Sequence, residues 1–241
     1  MADRLDISLV VPVHNEAATI AGSIEAWLAA FTRAGLRAEV VVVDDGSVDA
    51  TPALLASQVE RHAELRVIRQ AQSGHGAAVA AAYRASRAYW VLQIDGDDEI
   101  GPTYFDALWA LRLADGMVLG RRAPSTRAAV RRLITVCAAA YVRTVSGAAV
   151  HDANVPYRLV PRPRLESFLA ALPPGTFAPN LAMSIFAGHH GWRIAELDVV
   201  ERPRVATRQS LGGSRLWRAV FRTLRQSAAF ARGIRRQSPR A

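Results

Sequence analysis

Four carboxylates fall within five residues, at Asp95, Asp97, Asp98 and Glu99, directly after the apolar run Tyr89-Trp90-Val91-Leu92-Gln93-Ile94. The run is rich in branched and aromatic side chains and reads as a buried strand. Gly96 lets the backbone turn at its end. Like charges crowded at a strand end repel one another, a situation relieved by solvent or by a cation among them. Asp95, Asp97 and Glu99 alternate, so an extended chain points all three to one side. Hard carboxylate oxygens suit Mg²⁺ or Mn²⁺, ions that commonly also bind a substrate phosphate. A solvated acidic turn is the plainer alternative.

The elements around this stretch repeat a pattern. Residues 7–13 (ISLVVPV) read as a buried strand ending near Pro12, followed by His14-Asn15-Glu16 and a helix to Arg33 with apolar spacing at Ile20, Ile24, Trp27, Leu28 and Phe31. Residues 39–43 form a second strand and run into Asp44-Asp45-Gly46. A helix spans about 52–62 and a third strand 65–69. The tight loop Gln72-Ser73-Gly74-His75-Gly76 and the Ala-rich helix 77–88 lead back to the acidic stretch. Strand–loop–helix units in series predict an α/β fold: a single doubly wound, mostly parallel sheet flanked by helices. Ligands of such sheets bind beyond the carboxyl ends of the strands. Glu16, Asp44, Asp45 and the Asp95–Glu99 turn all lie there. Gly74-His75-Gly76 lacks a third glycine and follows the third strand, so a dinucleotide fingerprint is excluded.

In order, SLVVPVHNEAAT (8–19), VVDDGSVDAT (42–51), QSGHGAA (72–78) and IDGDDE (94–99) resemble the signature of the inverting nucleotide-sugar glycosyltransferases with the A-type fold. The resemblance spans roughly residues 7–215. It implies that Pro12, Glu16, Asp44 and Asp45 hold the base and ribose of a UDP- or GDP-linked sugar, with His14 and Gly74 in the same pocket. It further implies that Asp95 and Asp97 serve nucleotide and metal; from the carboxylates themselves, Asp97 and Glu99 are expected to hold Mg²⁺ or Mn²⁺, and Asp95 the ion or the ribose. His14 stands where an aromatic residue or alanine is usual, and Gln72 where asparagine is frequent.

The second half is less regular. A strand is expected at 117–120, followed by Arg121 and Arg122. A mostly apolar helix over 126–146 carries Arg127, Arg131, Arg132 and Arg143. Loop and strand follow over 152–159, then a stretch punctuated by Pro161, Pro163, Pro173 and Pro174, and an edge strand over 192–200. This layout is similar to the polyprenyl-phosphate branch of the family, which includes dolichyl-phosphate mannose synthases. Pro156 stands where that branch has glycine, and Arg215 where it has lysine. A lipid phosphate is already an anion and needs arginines, not a base; Arg131, Arg158 and Arg208 are the candidates. A hydroxyl acceptor on a glycan or natural product would need a carboxylate to take its proton, and Asp152 is placed for that. Asp97 and Asp152 are therefore the expected catalytic pair. Asp152 serves equally well to orient Arg158 or cap a loop.

Charge is unevenly spread. Residues 1–120 hold 9 Arg against 16 Asp and Glu, whereas residues 121–241 hold 21 Arg against 5 acids, and lysine is absent. The basic half fits phosphate or anionic lipid. A basic nucleic-acid-binding module is the contrasting reading, but the acidic strand end would repel a phosphate backbone, so no nucleic acid is expected as a partner. The lone Cys137 fits a reducing compartment and reads as a buried thiol. No signal pattern and no long apolar run stand out. The expected organisation is a glycosyltransferase domain over 1–213, with a nucleotide-sugar half (1–120) and an acceptor half (121–213), and a basic amphipathic helix and tail over 214–241. The expected place is the cytoplasm, with peripheral contact to the inner face of the membrane through that helix.

Overall fold

The computed structural model describes residues 5–123, 129–202 and 213–237, without side chains for 129–131, 213–217 and 237. Seven strands in the described residues make one sheet in the order β3-β2-β1-β4-β6-β5-β7. The strands β1 (Ile7–Val13), β2 (Ala38–Asp45), β3 (Leu65–Gln70) and β4 (Trp90–Gln93) run parallel, as do β5 (Gly116–Arg122) and β7 (Arg193–Val199). Among them only β6 (Arg158–Pro161) is antiparallel, to β4 on one side and β5 on the other. The carboxyl ends of six strands and the amino end of β6 therefore share one rim. β1 and β2 are buried along their whole length, which is why their sequences are continuous apolar runs instead of alternating ones.

Pro12 has no amide to give a sheet. It sits in β1 past the last residue paired with β4, where Val10 meets Gln93, so its missing donor costs no ladder bond on that side. Chain order reverses between β1 and β4, and this opens a crevice at the rim. The helices α1 (Ile20–Arg33), α2 (Thr51–Arg61) and α3 (His75–Ala85) join the first four strands, and α4 (Phe105–Ala110) and α5 (Ala129–Ser146) flank β5. Trp27 of α1 is fully buried, within ring contact of Phe31, Phe105 and Tyr157, and so ties α1 to the acceptor half of the sheet.

Two helices lie where prolines and an even apolar content concealed them. In α6 (Arg162–Ala171) Pro163 stands in the first turn, where a missing amide is harmless. α7 (Pro179–His189) is buried on nearly every side and so has no amphipathic stripe. His189 and His190 close α7, and His190 stacks on Phe186. Cys137 is exposed on α5, not buried as the apolar run suggested. The last helix, α8 (Gly213–Gln237), packs Ser227, Phe230, Ala231 and Ile234 inward and runs along α7 and α5. No described helix is long and apolar enough to cross a membrane.

The edge strand β7 turns its charges back onto its own sheet. Arg193 meets Asp115 at 3.6 Å, Glu196 binds His151, and Asp198 takes two bonds from Arg121.

Removing the Trp27 side chain should leave a cavity between α1 and the sheet. Trp27→Ala is expected to cost about 3–5 kcal/mol, read as a lower urea midpoint with little change in slope. A change below about 1 kcal/mol, far less than a buried aromatic is worth, would mean that this cluster does not join the two halves.

Candidate active site

Three loops meet at the rim around His14. Its Nδ1 lies 2.9 Å from the Asp45 carbonyl, and its Nε2 lies 3.3 Å from Asn15 Nδ2 and 3.2 Å from Gln72 Nε2. Asn15 Oδ1 accepts the Val48 and Asp49 amides, so the amide nitrogen of Asn15 is the atom that faces His14. The imidazole is then an acceptor at Nε2 and a donor at Nδ1. Both ring nitrogens are occupied in joining the β1, β2 and β3 loops.

Asp44 and Asp45 are buried at the end of β2 and do different work. Asp44 Oδ1 accepts the Ser47 amide at 2.9 Å, while Oδ2 has no hydrogen bond and lies 3.5 Å from Arg69 Nε. Asp45 is fully engaged: Oδ1 accepts from Gln70 Nε2 and the Ser73 amide, and Oδ2 from the Gly74 amide, each at 2.8 Å. Burial alone pushes the Asp45 carboxyl up. The bonds from Gln70, Ser73 and Gly74, with His14 nearby, outweigh burial and hold it below its ordinary value. Asp45 thus shapes the Gly74 loop instead of offering a free oxygen to a ligand. Glu16 is buried beside Gly96, with its backbone amide on Thr51 and its carbonyl starting α1.

The acidic stretch is a turn, not an extended strand. β4 ends at Gln93, and Asp98 adopts a left-handed backbone with φ 53°. The alternation of Asp95, Asp97 and Glu99 therefore does not aim them at one point. Among the described residues no group of three or more His, Cys, Asp or Glu side chains is close enough to hold a metal. Mutual repulsion is relieved by spreading the charges: Asp98 accepts from Ser23 Oγ at 3.2 Å and from Arg202 Nη1 at 2.6 Å. Arg202 also donates its amide to the Glu99 carbonyl, and its guanidinium lies so close to Gly101 that a Cβ there would meet it at 2.6 Å. Asp97 Oδ1 receives the Glu99 amide at 3.4 Å. Asp95 is different. Its Oδ1 is buried without a hydrogen bond, and it faces His75 Nε2 at 3.7 Å. A buried carboxylate oxygen without a donor is costly, and a divalent cation there would satisfy it. Asp95, with Asp97 two residues on, fits a cation that takes one or two protein carboxylates and completes its shell from phosphate and water.

The acceptor-side residues divide sharply. Arg158 is fully buried, and its guanidinium donates to backbone carbonyls, those of Ala153, Val155 and Asn180. Burial pushes its pKa down to about 10. With its donors so directed it braces the 153–155 loop against α7 and has no face for a phosphate, which corrects the expectation from sequence. Asp152 does not orient Arg158 by a direct bond. It is 2 % exposed and takes a two-pronged grip from Arg122, at 2.5 Å and 2.9 Å, with Glu201 3.4 Å from the same guanidinium. Burial opposes the Arg122 charge, but Asp152, Glu201 and Asp95 more than offset it and raise its pKa. Both Asp152 oxygens are engaged, so a general base at this position would first have to break an ion pair. Arg131 lies on α5 with its side chain outside the described set, and Arg208 lies outside the described residues.

Arg122, Arg202 and His75 are the site residues that reasoning from sequence passed over. The signal for Arg122 was available, since it closes a strand at the ligand-bearing rim. Gly76 shows how α3 is seated: a Cβ there would meet the Thr176 carbonyl at 2.1 Å, so the 173–178 loop lies directly on the helix start. Gln226 of α8 holds that loop through the Phe177 amide and the Gly175 carbonyl, and Arg222 stacks on Phe177.

Comparisons with known proteins bear on the fold and the family. Residues 8–129 match the family model described as Glycosyl transferase family 2. An undecaprenyl-phosphate 4-deoxy-4-formamido-L-arabinose transferase from Pseudomonas aeruginosa is 32% identical over 219 residues, covering 89% of this chain. The chain spans 63% of that relative's length. Among solved structures, mannosyl-3-phosphoglycerate synthase from Rubrobacter xylanophilus superposes with a TM-score of 0.70 at 21% identity, covering 98% of this chain and 77% of its own. A mannosyltransferase from Pyrobaculum calidifontis in complex with GDP-Man and Mn²⁺ gives 0.65 at 22% identity, over 100% of this chain and 66% of its own. These likenesses show the fold, which is the doubly wound arrangement expected from the sequence.

Asp45 generates a pH-dependent expectation. Its folded pKa lies below the ordinary value of 3.8. Its contribution to stability is therefore present above that value and is lost as pH falls through the lowered folded value. Asp45→Asn should be about 1–3 kcal/mol less stable than wild type at pH 7, and the gap should narrow below about pH 4. Urea unfolding of both proteins across that range checks it; a gap that stays constant with pH would assign the loss to shape instead of charge.

Proposed function

We propose that this chain, which belongs to glycosyl transferase family 2, moves a sugar with inversion from a UDP- or GDP-linked donor to a polyprenyl phosphate. The observation that carries the reading is Asp95: a buried carboxylate oxygen without a donor at the β1–β4 crevice, on the rim that Arg122 also reaches from the end of β5. Donor-side and acceptor-side groups thus share one rim. The relative named as an undecaprenyl-phosphate transferase supports the acceptor class, because its likeness extends over 89% of the chain and so beyond the donor half.

In this reading Glu16, Asp44 and the loops joined by His14 hold the nucleoside, with Pro12 and Gly74 shaping the pocket. A Mg²⁺ or Mn²⁺ ion held by Asp95 and Asp97 would neutralise charge that builds on the departing diphosphate. The acceptor phosphate attacks the anomeric carbon from the face opposite the leaving group and carries its own negative charge, so no proton has to be removed. Arg122, held in place by Asp152, orients and partly neutralises that phosphate as its bonds rearrange; Arg131 and Arg208 are further candidates for the same task. A hydroxyl acceptor is the second reading. It needs Asp152 as base, and the engaged state of both Asp152 oxygens favours the phosphate.

Membrane contact belongs to the same proposal. The inner half of α8 packs on the domain, while Phe221 is 70% exposed and Leu224 42% exposed, between Arg218, Arg222 and Arg225. On α5, Leu133 and Val136 are 62% and 63% exposed. Exposed apolar side chains set among arginines suit the boundary between acyl chains and anionic headgroups. A cavity of about 300 Å³ between α8, α7 and the 173–178 loop, with Pro174, Ala182, Phe230 and Ile234 in its wall, adds apolar space nearby.

Labelled UDP- and GDP-sugars, offered with Mn²⁺ and vesicles carrying undecaprenyl phosphate, should yield label in the lipid extract. Asp95→Asn should lower that transfer by about two orders of magnitude or more. Label appearing only in a water-soluble glycan would overturn the lipid-phosphate acceptor, and no transfer from any donor would overturn the reading as a whole.

Flotation of the same vesicles tests the surface. The protein should float with anionic lipid at low salt, less at high salt, and Phe221→Ser with Leu224→Ser should sink it while nucleotide affinity is kept. Equal flotation of the double variant would remove α8 from the membrane contact.

A further inference from the structure

We propose that His75 is a ligand of the same cation as Asp95, and that its nitrogen tilts the site towards Mn²⁺ over Mg²⁺. The inference rests on the reading of this rim as a cation-assisted nucleoside-diphosphate site and goes beyond it, since the acidic turn alone would make an all-oxygen site. Geometry comes first. His75 Nε2 and Asp95 Oδ1 are 3.7 Å apart. That is too long for a hydrogen bond, yet neither atom has another hydrogen-bond partner among the described residues, and Oδ1 is buried. Two donor atoms facing across such a gap are arranged to share an ion.

The ring is aimed by its neighbours in the chain. His75 is the first residue of α3. On one side, the Ser73 and Gly74 amides are fastened to the Asp45 carboxylate at 2.8 Å each. On the other, Gly76 is pressed against the Thr176 and Phe177 carbonyls, with no room for a Cβ. The backbone that carries the imidazole is therefore fixed at both ends, while the ring itself is 43% exposed on the rim. His14, the other histidine of the rim, is excluded from this role because both of its nitrogens already bond to neighbouring loops.

Chemistry gives the direction of the effect. Mg²⁺ demands oxygen ligands and dehydrates reluctantly, whereas first-row transition ions accept imidazole nitrogen readily. Replacing one water by His75 strengthens the Mn²⁺ site and leaves the Mg²⁺ site little changed. The remaining positions fall to the diphosphate and water, with His75 in place of Asp97 as the second protein ligand, since among the described residues no three His, Cys, Asp or Glu side chains lie close enough to hold one ion.

The test uses the full chain with MnCl₂ and either UDP or GDP. Pulsed electron paramagnetic resonance of the bound Mn²⁺ should show histidine nitrogen coupling in the wild type. His75→Ala and His75→Gln should lose it, with metal-free melting unchanged. Mn²⁺ affinity in the presence of nucleotide should fall about tenfold or more in both variants, while Mg²⁺ affinity, measured by competition, should move less than about twofold, since an oxygen-seeking ion gains little from the ring. Nitrogen coupling absent from wild type that binds Mn²⁺ and nucleotide would overturn the proposal and leave the transferase reading standing, and so would coupling that persists in a folded variant. Should both variants melt lower than wild type, labelling wild-type histidine with the heavier nitrogen isotope decides: an unchanged Mn²⁺ spectrum overturns the proposal, and a changed one, with Asp95→Asn abolishing it, supports it. Failure of Mn²⁺ and Mg²⁺ to bind with either nucleotide would remove both readings together.

Discussion

A carboxylate withdrawn from water must be given donors or a counter-charge, and that requirement orders this molecule from one sheet end to the other. At the rim away from the site, Glu39 collects the Ser8 hydroxyl, the Arg87 amide and Arg66. On the working rim, Asp45 collects Gln70, Ser73 and Gly74, and Asp152 collects Arg122. Each of these groups fastens one strand end to a loop from elsewhere in the chain. Two buried carboxylate oxygens at the rim stand outside this pattern, Asp44 Oδ2 and Asp95 Oδ1. The first has the Arg69 guanidinium for a counter-charge, whereas the second faces an imidazole. Asp95 is therefore the buried carboxylate of the crevice left with neither a hydrogen-bond donor nor a guanidinium beside its buried oxygen.

How much of this the sequence carried depended on whether a feature was local. Apolar runs such as Val40 to Val43 in β2 and Leu9 to Val11 in β1 could only be buried strands, because both faces of the sheet are covered. The acidic stretch was legible as a site but not as a geometry: alternation means convergence only while the chain stays extended, and it stops being extended at Gln93. Arg158 looked like a phosphate ligand by residue type. Its register opposite Gln93 in the middle of the sheet, which no local pattern announces, sends it to backbone carbonyls instead. α7 was missed because a helix buried all round has no stripe to detect, and α6 because its proline starts the helix where prolines more often end one.

The two halves are joined by a relay of ordinary contacts. α8 holds the 173–178 loop through Gln226, the loop rests on Gly76, and Gly76 lies in the first turn of the helix that presents His75 to Asp95. The acceptor side reaches the same point by another route, because Arg202 bonds Asp98 and lies on Gly101, so the chain leaving β7 is laid across the acidic turn.

The open edge at β7 has a consequence for how copies of the protein meet. An edge strand exposes a row of unpaired amides and carbonyls, which is a template for another strand. Here Arg193, Glu196 and Asp198 are drawn back to Asp115, His151 and Arg121. A second chain laid along that edge would have to accommodate or part these ion pairs before a ladder could form. Of the two edge strands, β3 and β7, the second is thereby guarded by ion pairs, and one of them, His151 with Glu196, also holds the residue before Asp152 in place.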